Sequence, residues 1–147
     1  MTATDKMKLY DADFYEWTQE MARRLRGHDT AALDWENIAE EIESMGKRDY
    51  QGLFSRMRVL LVHLLKWKYQ DDRRSRSWRG TIAEQRARIE LIVRDSPSFR
   101  SRIAADMPRA YRLAVIKASL ETTIPEEKFP AKCPWTFESA LEEPLEP

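Results

Sequence analysis

The sequence predicts an all-α protein, a bundle of about five or six helices with a Pro-rich C-terminal tail packed across it. Three observations lead there. Gly is scarce, with 4 residues in 147, whereas an all-β chain needs turn residues every 8–12 positions. Charged residues make up 34% of the chain. In segment after segment, apolar residues recur at the three- and four-residue spacing of one helix face. A chain of 147 residues is the size of one ordinary domain and can bury about 68–70% of the surface its unfolded form exposes. The expected organisation is a single helical domain over 1–147, with its core at about 9–122 and the tail at 123–147.

Asp11 or Asp13 can cap a first helix, whose apolar face is Phe14, Trp17, Met21 and Leu25 and whose natural stop is Gly27. Asp34 reads as the cap of a second helix with the stripe Trp35, Ile38, Ile42 and Met45. Gly46 then poses a turn or a kink. A helix continuous from Asp34 to Gln70 would be about 55 Å long, against a radius of gyration of about 15 Å for a compact domain of this size. A break at Gly46 is therefore expected, unless the protein is an extended oligomer.

The third helix, about 48–70, carries the widest apolar face, from Tyr50 and Leu53 to Leu64 and Leu65. After a charged loop, Asp71 to Arg76, Ser77 is the expected cap of a fourth helix with Trp78, Ile82, Ile89 and Ile92 on its stripe. Ser96-Pro97 opens a short helix ending before Asp106, and Pro108 sits in the first turn of the next, which carries Tyr111, Ala114, Val115 and Ala118. Phe129, Trp135, Phe137 and Leu141 are the apolar anchors of the tail.

A net charge of zero conceals segregation. Residues 1–46 hold eleven acidic and five basic groups, a balance of −6, residues 47–120 come to +11, and residues 121–147 to −5. Acidic and basic helices can neutralise one another within one chain; alternatively the basic middle meets a polyanion, or the acidic first part meets the basic middle of a second copy. The longest apolar run, Val59 to Leu65, is too short to span a bilayer. The opening residues lack the apolar core of a signal peptide, and Cys133 is the only cysteine. A cytoplasmic protein is expected.

Gln85 falls in the middle of the fourth helix's apolar stripe, and a buried amide without partners costs about 1–3 kcal/mol. His63, Trp67 and Gln70 lie along one flank of the third helix. Folding helices three and four as an antiparallel hairpin about 71–76 sets His63 against Gln85, Trp67 against Thr81 and Gln70 against Trp78. The expected result is a polar seam, extended by Glu41 and Arg86. It serves either as a satisfied network that fixes register or as the lining of a ligand pocket.

Catalytic chemistry finds little support. A di-iron bundle needs Glu-x-x-His pairs, but Leu25 and Leu60 stand three residues before His28 and His63. Those histidines and Cys133 have no short-range pairing for zinc, so no metal and no cofactor is expected. Glu40, Glu41 and Glu43 read as a solvated face, and Cys133, beside Pro134 and Trp135, as a packed thiol. Lys66, Lys68, Arg73, Arg74, Arg76 and Arg79, interleaved with Trp67, Tyr69 and Trp78, are candidate anion contacts, since basic groups bind phosphates and aromatics stack on bases.

Several runs carry a resemblance: Tyr10-Asp11-Ala12-Asp13-Phe14-Tyr15-Glu16-Trp17, Leu33-Asp34-Trp35-Glu36-Asn37, Glu40 to Gly46, His63-Leu64-Leu65-Lys66-Trp67, Ser77-Trp78, Gln85-Arg86, Ser96-Pro97-Ser98, Phe129-Pro130 and Cys133-Pro134. Over residues 9–141 the chain resembles the bacterial family called domain of unknown function 29. The resemblance implies an all-helical fold and a bacterial cytosolic setting, and it brings neither an activity nor catalytic residues. The expected function is a non-enzymatic protein-interaction or regulatory module, with a protein partner or self-association. The alternatives are a nucleic-acid-binding protein using residues 66–79, and a ligand binder or enzyme at the His63/Gln85 seam.

Overall fold

The computed structural model describes residues 2–147, the side chains of residues 3, 6 and 7 apart. The fold is all-α: six α-helices and two short 3-10 turns, with no strand among the described residues. By proximity the chain divides into two compact units, 1–49 and 50–147.

In the first unit, α1 (Ala3–Ala12) and α2 (Phe14–Arg26) precede the start of α3 (Trp35–Tyr69). Helix α1 was not foreseen. Its start is a capping box, in which the Thr2 hydroxyl accepts from Asp5 N at 3.1 Å and the Asp5 carboxylate accepts from Thr2 N at 3.0 Å. Asp13 caps the next helix, accepting from Glu16 N at 3.0 Å. Gly27 ends it, but His28 takes the left-handed conformation that completes the stop, at φ 55°. Trp17, Met21 and Leu33 form a small core closed by Leu9, Tyr10 and Ile38.

The expected break at Gly46 is absent, and α3 is one helix of 35 residues. A glycine inside a helix costs only about 1 kcal/mol relative to alanine, which a long, well-packed helix tolerates. Nothing lies within 4 Å of a β-carbon built at Gly46, and its φ is not positive. The radius of a single compact sphere does not limit α3, which begins in one compact unit and ends in the other.

The second unit packs the later part of α3 against α4 (Arg76–Asp95), α5 (Phe99–Thr122) and α6 (Phe137–Glu142). Leu53, Met57, Leu60, Leu61 and Leu65 of α3 are fully buried with Ile82 and Ile89 of α4 and with Ile103, Ala110, Ala114 and Ala118 of α5. Phe129, Trp135, Phe137 and Leu141 join the same core. Three boundaries differ from expectation. Helix α5 opens at Phe99 after Ser98, not at Pro97 after Ser96. Ser75, not Ser77, caps α4, accepting from Trp78 N at 3.1 Å. Helix α5 also runs through Pro108, where two helices were expected. The ring removes one helical hydrogen bond, and the carbonyl it strands, on Ala104, belongs to an exposed residue that water can reach.

Candidate functional site

The polar seam does not form as expected. Gln85 accepts from Arg56 Nη1 at 3.2 Å, two turns of α3 before His63. His63 instead directs Nδ1 to the Val59 carbonyl at 2.9 Å, and its ring lines a hollow against α5. Nearer the turn, Lys66 lies over the Trp78 ring at 4.8 Å. The observed pairs, Lys66 with Trp78 and Arg56 with Gln85, lie about one and two turns earlier on α3 than the expected Gln70 and His63. Glu41 is not part of this region: it accepts from Tyr10 Oη at 2.6 Å inside the first unit, and that bond pushes the phenol up to about 12. Gln70 ends α3, half-buried, with its N–H on the Lys66 carbonyl.

The other expected seam residues hold the chain's own tail. Trp67 donates its indole N–H to the Glu146 carbonyl at 2.9 Å. Arg86 donates to the carbonyls of Ala140 at 2.9 Å and Glu143 at 2.8 Å. Arg74 bonds the Trp67 carbonyl at 2.8 Å and a Pro147 oxygen at 2.6 Å.

The six candidate anion contacts divide in the same way. Lys66 pairs with Glu121 at 3.1 Å, Arg74 is engaged as above, and Arg79 lies over the Trp67 ring at 5.0 Å. Lys68, Arg73 and Arg76 are exposed with no ion pair among the described residues. The interleaved aromatics are used in packing: Trp67 is buried, and Tyr69 meets Phe129 edge-on at 5.3 Å. A stacking platform for bases is thereby lost.

Two surfaces stand out instead. In the first unit, the stripe expected to be core is mostly uncovered. Trp35 is 60% exposed, Ile42 64% and Met45 58%, and only Ile38 of the four packs inward. Glu36, Glu40 and Glu43, all exposed, occupy the other side of α3. In the second unit, Arg58, Val59, Val62 and His63 of α3 face Leu113, Ile116, Lys117, Leu120 and Glu121 of α5 around a hollow of about 410 Å³. Leu120 is 76% exposed at its edge. Leu113, Ile116 and Leu120 form a second apolar row on α5, beside the row of Tyr111, Ala114, Val115 and Ala118.

A larger groove of about 1200 Å³ runs between α5 and residues 126–138. Tyr111 crosses to its far wall, donating to the Pro130 carbonyl at 2.6 Å. Cys133 lies in it with its thiol pushed up by burial, the reverse of an activated nucleophile. No group of three or more His, Cys, Asp or Glu that could hold a metal occurs among the described residues. Nor is any of their helices long and apolar enough to cross a membrane.

Compared with known families, residues 9–145 match the one described as domain of unknown function DUF29. The chain belongs to that family. No curated protein and no solved structure gives a significant match. The DUF29 description assigns no activity, so the two surfaces of this DUF29 chain must be read from their own chemistry.

Proposed function

We propose that this protein is a non-enzymatic interaction module that works in the cytosol and docks a protein through the Trp35–Met45 face of α3. The observation that carries the reading is the exposure of Trp35, Ile42 and Met45 together on one helix face. Single exposed apolar residues are ordinary, whereas a contiguous exposed group marks an interaction site. Aromatic residues and Met are enriched at interfaces, and Trp ranks high among their hot spots. The lone Cys133, with no second cysteine to pair with, fits a reducing compartment.

Photo-crosslinking in cells that make the protein tests this reading. A photoreactive residue at position 42 or 45 is expected to yield a protein adduct identifiable by mass spectrometry. The same residue at the exposed position 84 on α4 should yield none. No adduct at 42 and 45, or an equal yield at 84, would overturn the reading.

A further inference from the structure

We propose that the groove formed by Leu64, Trp67, Arg74, Arg86 and Trp135 is a binding site for an extended, acidic Pro-x-x-Pro segment of another protein, and that the chain's own Pro144-Leu145-Glu146-Pro147 occupies it in cis. The site lies wholly within the second unit and does not depend on the Trp35–Met45 face.

The sequence of the segment sets its conformation. Proline fixes φ near −65°, and the residue before a proline is held to extended backbone. Glu143 and Glu146 each precede a proline, and Glu143 takes φ −60° and ψ 124°, close to a polyproline II helix. That helix repeats every three residues and makes no hydrogen bonds of its own. The carbonyls of Glu143 and Glu146, three residues apart, therefore face the same way and are free to accept. The groove supplies donors at that spacing. Arg86 Nη2 donates to the Glu143 carbonyl at 2.8 Å and Trp67 Nε1 to the Glu146 carbonyl at 2.9 Å. Arg74 Nη1 continues the row with a Pro147 oxygen at 2.6 Å.

Side chains complete the fit. Leu145, between the two prolines, packs on the core, and only about 40 Å³ of space remains where the segment meets Leu64, Trp67 and Trp135. Pro-x-x-Pro segments dock in grooves lined by aromatic rings, where a preformed helix has little entropy to lose. Arg74 Nη2 stands 3.7 Å from the Glu146 carboxylate, which favours an acidic residue before the second proline.

The same contacts admit a segment in trans. The donors grip main-chain oxygens, so they hold any chain of this conformation. No residue of 143–147 belongs to a helix, and the segment can leave without unwinding one. Trp67 is 5% exposed, and a buried indole donor needs an acceptor; an incoming carbonyl provides it. The chain's own segment is then a tethered competitor, present at an effective concentration of about 1 mM.

Fluorescence anisotropy with a labelled peptide of the sequence 142–147 tests this on the full chain. Leu145→Asp loosens the tethered segment and leaves every groove residue in place. The peptide should bind this variant at least about tenfold more tightly than it binds the wild type, where the tether competes. Trp67→Phe in the same background keeps a ring and removes the donor, and should weaken binding at least about fivefold. A peptide carrying Pro144→Ala and Pro147→Ala should also bind more weakly than its parent. Unchanged helicity by circular dichroism verifies folding, and Leu145→Ala serves as a second loosened variant. Equal binding to the wild type and both loosened variants, binding that survives Trp67→Phe, or no binding at all overturns the proposal. Wild-type dimers that the peptide dissociates overturn it too, because the occupant would then be the same segment of a second copy.

Discussion

Trp17 donates its indole N–H to the buried carboxylate of Asp34 at 3.2 Å, and that carboxylate also caps α3 through Asn37 N at 3.4 Å and holds the Asn37 side chain at 2.8 Å. One side chain thus ties α2 to the start of α3. Asp34→Ala removes the cap and strands a buried indole donor. The expected cost is about 2–3 kcal/mol, measured as a lowered denaturation midpoint. Asp34→Asn should recover part of it by keeping the cap.

Thr123 ends α5 at φ 63°, in the left-handed region that a β-branched residue rarely adopts. Thr123→Gly should stabilise the protein by about 1 kcal/mol, raising Tm by roughly 3 °C. Thr122→Gly should do the opposite, since the buried Thr122 hydroxyl donates to the Ala118 carbonyl at 2.7 Å.

Alkaline pH should unfold the protein earlier than its helical content alone suggests. Three phenols are pushed up to about 12: Tyr10 by its bond to Glu41, Tyr50 by burial and then by Asp106, and Tyr111 by burial. A phenol harder to ionise when folded leaves stability unchanged below the unfolded value near 10, and stability then falls as pH rises toward 12. Circular dichroism followed beside tyrosinate absorbance should show both changing together in that window. Tyr50→Phe should flatten the fall, and at neutral pH it should weaken the protein by removing the donor to Asp106.

Cys133 should react slowly with thiol reagents at neutral pH, because burial holds its thiol above the ordinary range. Alkylation of the native protein should be slower than that of the same chain in denaturant, because burial disfavours the thiolate. Equal rates would show that residues 126–138 do not shield it.

The helical class and most of the core were legible in the sequence, because the spacing of Leu53, Met57, Leu60 and Leu64 or of Ile82 and Ile89 admits one reading. What periodicity does not carry is whether a face is covered. Trp35, Ile42 and Met45 have the same pattern as a core stripe and lie open. The Gln85 pairing differs because register counted symmetrically about residues 71–76 is already displaced at the turn, where Trp78 meets Lys66 rather than Gln70. Helix α1 escaped notice because its start depends on the reciprocal Thr2–Asp5 bonds rather than on an apolar stripe. Trp67 and Arg86 were expected in the seam between helices three and four, and instead hold the tail. Their partners, main-chain carbonyls more than fifty residues away, left no mark in any local pattern.

Those partners share one property. Arg86, Trp67 and Arg74 all grip residues 140–147 through main-chain oxygens. Proline lacks an N–H but keeps its carbonyl, so a segment containing Pro144 and Pro147 gives up nothing these donors require. Its exposed side chains at 142 and 143 are therefore open to evolutionary drift: substitutions there should accumulate without dislodging the segment, while Leu145, which packs on the core, and the three donors stay under selection.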